Sequence, residues 1–309
     1  MIATITLNPS IDRTLAIDRL VVGGMNRVRS KIDHPSGKGI NASLTLSSLG
    51  QSTEALAFIG GESGRWLVKA LLDQGLAVDC VEVEGDTRIN LKVWSEKERQ
   101  STEINEPGPL VTEKELAELK SKVFTKAKHW DWVVISGSVP PGTPKEFYAA
   151  LVETAKGQGA KVALDASGPA LGEGITAMPD LIKPNEVEAS ELLGFPVEDE
   201  KGAIAAVEEL TSRGIDYVLL TLGKDGAVIG HGGGMWRALT PKVRVESTVG
   251  CGDSAIAGML HGLMKEEGIE EAIRWAIATG AAAAGTRGTT PPKLAVVTKL
   301  LSEVKLQRI

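Results

Sequence analysis

The run Thr248-Val-Gly-Cys-Gly-Asp-Ser254 leads directly into a stretch where Ile256, Met259, Leu260, Leu263 and Met264 recur at the spacing of one buried helix face. The glycines therefore open a helix. Gly250 and Gly252 admit backbone conformations closed to other residues, and consecutive amides there can point into one concavity at the positive end of the helix. Such a nest suits an anion, above all a phosphoryl group gaining charge during transfer. A carboxylate in the same first turn would repel that anion, so Asp253 needs a separate reason to be there. Capping the helix or balancing its dipole is one reason. A base that takes a hydroxyl proton beside the incoming phosphoryl is the other.

Three further loops carry comparable chemistry. In Tyr217-Val-Leu-Leu-Thr-Leu-Gly-Lys-Asp-Gly226 an apolar strand ends at Thr221 and a turn containing Gly223 and Gly226 follows. This is either an ordinary hairpin or, at the carboxyl end of a parallel strand, a ligand loop. In Asp180-Leu-Ile-Lys-Pro-Asn-Glu-Val-Glu188 a strand leads to Lys183 and Pro184, and a helix starts with Asn185 near its cap. Glu188 there completes a capping box or holds water-bound magnesium, an ion that rarely receives an all-protein cage. In Pro35-Ser-Gly-Lys-Gly-Ile-Asn41 the spacing of a Walker loop is missing. Its glycines permit close approach of a ligand, and Asn41 offers a donor and an acceptor to sugar hydroxyls; a plain helix start is the alternative.

These loops need a scaffold, and the chain alternates to supply one. Short β-rich runs at Ile2–Leu7, Trp132–Ser136, Lys161–Asp165, Asp180–Lys183 and Tyr217–Leu222 are separated by segments of helical spacing, which predicts a parallel sheet wrapped by helices. Thr112-Glu-Lys-Glu115 and Thr143-Pro-Lys-Glu146 read as helix starts with a hydroxyl cap and a carboxylate at the third position. Gly50, Gly75, Gly159, Gly194 and Gly214 read as helix stops. Residues 10–34 and 81–106 break the pattern with short alternating strands and no helix. Because both leave and re-enter the body, they are expected to form a small discontinuous β lid over one of its edges, within a single domain spanning 1–309. The small side chains of Ala278–Ala284 are expected to let a helix approach the sheet closely.

Composition narrows the functional classes. The net charge of −6, with no long basic run, argues against a nucleic-acid partner. Cys80 and Cys251, far apart and without ligand spacing, support neither a disulfide framework nor a zinc site. No stretch offers eighteen unbroken apolar residues and the first residues lack a basic leader, so a soluble cytoplasmic protein with no membrane partner is expected.

Taken in order, Asn8-Pro-Ser-Ile-Asp12, Ser36-Gly-Lys-Gly-Ile-Asn41, Lys183-Pro-Asn-Glu-Val-Glu188, Thr221-Leu-Gly-Lys-Asp-Gly226 and Thr248-Val-Gly-Cys-Gly-Asp253 resemble the motifs of the PfkB sugar kinases, the ribokinase-like carbohydrate kinases. Within that family Asn26-Arg-Val28, Asp86-Thr-Arg-Ile-Asn90 and Thr102-Glu-Ile-Asn-Glu-Pro-Gly-Pro109 look like the lid segments of bacterial 1-phosphofructokinases, with tagatose-6-phosphate kinases as close relatives. Ser36 and Cys251 depart from the pattern, standing where the family more often has Gly and Ala.

The resemblance implies a ribokinase-like three-layer αβα sandwich with a mostly parallel central sheet and a small β-sheet lid, which often forms a homodimer clasp. It implies ATP as donor, with Mg2+ and a monovalent cation. The implied reaction is phosphorylation of fructose 1-phosphate at O6, with tagatose 6-phosphate or fructose 6-phosphate as the alternative sugar. On this reading Asp253 is the base, with the Gly250 and Gly252 amides stabilising the transferring group. Asp12, Gly37, Lys38 and Asn41 hold the sugar, while Arg27, Arg88 and Ser138 recognise the phosphate it already carries. Lys183, Asn185 and Glu188 organise the ATP phosphates and magnesium, and Thr221, Gly223 and Gly226 line the nucleotide site.

Overall fold

The computed structural model describes residues 1–309. Its main sheet has ten strands. In spatial order β5 (Ala77–Glu82), β4 (Thr53–Ile59), β1 (Ile2–Thr6), β8 (Trp132–Gly137), β9 (Lys161–Ala166), β10 (Leu181–Ile182) and β11 (Tyr217–Thr221) run parallel. The antiparallel strands β12 (Ala227–His231), β13 (Gly234–Leu239) and β14 (Lys305–Arg308) extend it at one edge.

The central strands are apolar on both sides because both faces are covered. Val133, Ile135, Val162 and Leu164 point into a core shared with α3 (Glu113–Lys126), α4 (Phe147–Gly157), α5 (Gly168–Thr176), α6 (Glu186–Leu193) and α7 (Glu200–Ser212). Their alternates Trp132, Val134 and Ala163 meet α1 (Lys38–Ser48), α8 (Cys251–Met264), α9 (Ile269–Ala284) and α10 (Leu294–Leu301). On that same face α2 (Gly61–Leu72) closes a smaller core with α1 and β4. The result is the three-layer αβα sandwich.

Local signals set most boundaries. All five predicted stop glycines take left-handed conformations, with φ from 75° to 95°. At the start of α3 the Glu115 carboxylate accepts from the Thr112 amide at 2.6 Å. The second predicted start does not form: α4 begins only at Phe147, whose amide donates to the Pro144 carbonyl at 3.1 Å. That turn over Pro144 delays the helix and leaves the Thr143 hydroxyl buried without a partner.

Two further expectations change. Helix α8 does not bury one face; every residue from Asp253 to Gly262 is buried. The close approach expected between the Ala-rich helix and the sheet is instead made against α8. A Cβ on Gly258 would stand 2.4 Å from the Trp275 carbonyl oxygen, and one on Gly262 would stand 2.5 Å from the Ala272 Cα.

The lid is a second sheet of four strands, ordered β3 (Val28–Ser36), β2 (Ser10–Ile17), β6 (Arg88–Ser95) and β7 (Gln100–Ile104). Val81 and Glu82 belong to β5 of the main sheet, so the second lid segment begins at Arg88 and the first continues to Ser36. Strand register sorts the lid residues by face. Ser10, Ser36 and Arg88 form one row, and Asp12, His34 and Asn90 the next, followed by Thr14, Ile32 and Lys92. The opposite face carries Arg13, Asp33, Leu15, Leu91 and Val93, with Ile104 beside Leu91.

The α8–α9 contact gives a direct test. Gly258→Ala is expected to destabilise the protein by about 1–3 kcal/mol through overpacking, read as a lower melting temperature. An unchanged melting temperature would show that the two helices can separate freely.

Candidate functional site

The predicted chemistry converges on the carboxyl ends of the parallel strands, where open α/β sheets bind ligands. Gly250 adopts φ 78°, ψ 0° at the N-cap of α8, and its carbonyl accepts from the Ser254 amide at 2.9 Å. This left-handed turn delivers Asp253 into the first turn of a helix whose surroundings exclude water. The Asp253 Oδ2 accepts a hydrogen bond from Asn41 Nδ2 at 2.7 Å. The next residue, Ser254, pairs its hydroxyl at 3.2 Å with that of Thr45, one turn beyond Asn41, fixing α1 against α8.

Gly37 makes the junction between lid and α1 possible. Its φ is 127°, and a Cβ there would stand 2.7 Å from Thr6 Cγ2, so no side chain is accommodated. The next residue, Lys38, extends its ammonium to Asp165 Oδ1 at 3.1 Å and toward Glu188 Oε1 at 3.6 Å. Lys183, at the end of β10, reaches the same Asp165 oxygen at 3.3 Å and lies against Gly252, where a Cβ would be 3.2 Å from its Nζ.

Asp165 is the residue that sequence reasoning misses. The sequence marks it only as the end of a strand, although an acid closing an apolar parallel run at the ligand edge is a usable signal. It is fully buried, and its Oδ2 has no partner.

Three carboxylates and two ammonium groups thus share one buried space, and their charges set one another. Burial, followed by the charge of Asp165, pushes the Asp253 carboxyl up to about 6; the Asn41 hydrogen bond and the two lysines oppose this. Burial also works against ionised Asp165, but Lys183 and Lys38 outweigh it and hold the group below the usual carboxylate range. Desolvation likewise disfavours charged Lys38, yet Asp165, Glu188 and Asp253 together raise it above the ordinary lysine value.

Asn185 caps α6: its Oδ1 accepts from the Glu188 amide at 2.9 Å, and the Glu188 Oε2 accepts from the Asn185 amide at 3.0 Å. Glu188 therefore completes the capping box and still turns its other oxygen toward Lys38. The Thr221 amide donates to the Pro184 carbonyl at 3.0 Å, tying the end of β11 to this loop. The β11–β12 connection is a true hairpin at the ligand edge. Gly223 takes φ 53° there, while a Cβ on Gly226 would lie 2.0 Å from the Ala238 carbonyl oxygen, so that glycine closes the hairpin against β13.

On the lid side, Asp12 is buried beside the body, and the Arg88 guanidinium donates to the carbonyls of Asn8 at 3.0 Å and Glu106 at 3.2 Å. Ser138 lies on the same seam, accepting from Asn8 Nδ2 at 3.3 Å. Arg27 is the one predicted site residue that the chain does not bring in. It is exposed beyond Val28, which pairs with Ile17, about 17 Å along the strand from Asp12.

The arrangement sets a polar lid face opposite a glycine-rich helix start, with the buried Asp253 carboxylate beside that start. Comparison with known proteins points the same way. Residues 5–295 match the model of the pfkB family of carbohydrate kinases. The chain is 35% identical to a 1-phosphofructokinase of Bacillus subtilis over 309 residues, covering all of both proteins. It is also 35% identical to a tagatose-6-phosphate kinase of Staphylococcus epidermidis over 283 residues, 91% of each. Among solved structures, phosphofructokinase-2 from Escherichia coli in complex with potassium superposes with a TM-score of 0.93 at 31% identity, over 98% of each chain. With the family model spanning nearly the whole chain and the fold shared end to end, this protein belongs to the pfkB family of carbohydrate kinases and is a sugar phosphotransferase.

Proposed function

We propose that this chain transfers the γ-phosphoryl group of ATP to O6 of fructose 1-phosphate, giving fructose 1,6-bisphosphate. The observation that carries the mechanism is Asp253: a buried carboxylate with a raised pKa, held by Asn41 at the first turn of α8. Asp253 accepts the proton of the attacking hydroxyl as that oxygen bonds to the γ-phosphorus and the bond to the bridging oxygen breaks, releasing ADP. The Gly250 and Gly252 amides, the positive end of α8 and the ammonium groups of Lys38 and Lys183 face the charge that develops on the phosphoryl oxygens.

Lys183, Asn185, Thr221 and Gly223 are assigned to the nucleotide phosphates, with Gly226 shaping their loop. Magnesium would be held through water by Asp165 and Glu188, and the unpartnered Asp165 Oδ2 suits that role. When bound, it supplies neutralising charge between the phosphates. A monovalent cation is proposed on the strength of the potassium complex of the Escherichia coli relative alone. Asp12, Gly37, Lys38 and Asn41 bind the sugar, and Arg88 and Ser138 its phosphate. The cytoplasm is the compartment proposed.

The equal identity to a tagatose-6-phosphate kinase supports a second reading, in which the C1 hydroxyl of a ketose 6-phosphate attacks the γ-phosphorus. Coupled assays of ADP release with fructose 1-phosphate, tagatose 6-phosphate and fructose 6-phosphate separate the two. The highest kcat/KM is expected for fructose 1-phosphate, and a higher value for either 6-phosphate replaces the first reading by the second.

Asp253 must be ionised to act, and its folded-state pKa is about 6. Turnover is therefore expected to be level above that pH and to fall about tenfold per unit below it. Asp253→Asn should lower kcat by about 10²–10⁴-fold at an unchanged melting temperature. Near-normal turnover of the folded variant would remove Asp253 from the mechanism.

The lid's outer face supports a homodimer. Leu15, Leu91 and Val93 are half-buried there and Ile104 is 55% exposed, a cluster that a second lid would cover. Arg27 can serve as a phosphate ligand only in such a pair, delivered by the other copy. Sedimentation is expected to give a dimer mass for the wild type and a monomer for Ile104→Lys; a monomeric wild type would discard the clasp.

A further inference from the structure

We propose that two residues of β6, Asn90 at the end of a lid motif and Lys92 beyond it, build the part of the sugar subsite that reads hydroxyl groups, with Lys92 positioning Asp12. The inference rests on the ketose-phosphate kinase reading above. Arg88, Asn90 and Lys92 alternate along β6 and share the face that carries Asp12. Register sets Asn90 beside Asp12 and Lys92 beside Thr14. Lys92 nevertheless reaches back along the sheet, and its Nζ donates to Asp12 Oδ2 at 2.7 Å. The two side chains are only 13% and 9% exposed, so the pair is held away from competing water.

The other Asp12 oxygen is committed as well. Its Oδ1 accepts from the Ser10 hydroxyl at 3.0 Å and from Asn90 Nδ2 at 3.3 Å, and the same Nδ2 donates to Ser10 Oγ at 3.1 Å. This network fixes the orientation of the Asn90 amide, because the flipped amide would set its oxygen against a carboxylate. Asn90 Oδ1 is thereby left buried with no partner. A carboxylate accepts about four hydrogen bonds, and Asp12 has received three. Asp12 and Asn90 thus present two adjacent acceptors, flanked by the two Lys92 N–H groups not spent on Asp12 and by the His34 ring in the same row.

That pattern selects the ligand chemistry. Hydroxyl groups, which donate as well as accept, satisfy the two acceptors, whereas a phosphate dianion brings no proton to either of them. One row nearer the body the pattern inverts: Arg88 keeps a buried, unpartnered Nε donor, suited to phosphate oxygen. The lid face is therefore divided between a phosphate row at Arg88 and a hydroxyl row at Asp12 and Asn90. The Lys92 charge, neutralised by Asp12, holds the second row in shape and does not grip the substrate's phosphate.

Calorimetric titration of the full-length protein with fructose 1-phosphate, free fructose and ATP, paired with steady-state kinetics, tests this. Lys92→Met is expected to weaken both sugars by the same factor, about tenfold, with ATP binding unchanged. Lys92→Arg should restore part of the loss. Asn90→Ala, which leaves the ion pair in place, should also weaken both sugars equally. Arg88→Ala should weaken fructose 1-phosphate far more than fructose. If Lys92→Met weakened only the phosphorylated sugar, Lys92 would be a phosphate ligand and the proposal would be wrong. Wild-type affinity for both sugars in Asn90→Ala would equally overturn it. A wild type that binds these sugars without phosphorylating them would refute the kinase reading and leave the subsite standing, whereas one that binds no ketose would overturn both.

Discussion

Burying charge at the carboxyl edge of the sheet is the constraint on which the rest of this structure depends. Asp165, Glu188 and Asp253 on one side and Lys38 and Lys183 on the other come from five different segments, and any of them alone in that space would be strongly disfavoured. Together they tolerate one another because each ammonium touches a carboxylate, while burial first and the charge of Asp165 second leave Asp253 with a raised pKa. The strand ends of β9 and β10 and the first turns of α1, α6 and α8 must therefore arrive within a few ångströms of one another. Catalytic geometry and electrostatic balance are the same requirement here.

Helix α8 can meet that requirement because nothing bulky keeps it out. Gly258 and Gly262 let α9 press against its back, and Asn41 and Thr45 bind its first turn to α1. Its burial on every side removes the water that would otherwise stabilise ionised Asp253. The small-residue interface and the tuned base are thus linked: loosening the first would hydrate the second and lower its pKa toward that of an ordinary aspartate.

Much of this is legible in the sequence. Strand runs bounded by stop glycines, the Thr112 start and the ordered glycine loops locate the sheet, the helices and most of the site, because each depends on local backbone chemistry. What escapes is non-local. Asp165 looks like any strand-terminal acid until Lys38 and Lys183 arrive from distant segments. The same holds for Lys92, whose partner Asp12 lies on the neighbouring strand one row away from its register position. Thr143 misleads for a related reason: a turn over Pro144 competes with the cap, and the spacing of a capping motif does not reveal which wins. The Ala-rich helix gives the right physical signal, small residues for close packing, and the wrong partner.

The lid's attachment has a mechanical consequence. Ser10, Ser36 and Arg88 stand where three strands meet the body, Asp12 and Asn90 lie about 7 Å beyond that line, and the far end at Ile17 and Val28 lies about 23 Å beyond it. Such a plate is a lever with its fulcrum at that line. A tilt that shifts Asp12 by one ångström swings the far end by about three, so weak contacts at the tip act on the position of Asp12 with mechanical advantage. Exposed residues at that end, around Val22 and Met25, are therefore coupled by geometry to Asp12 and Asn90 without touching either.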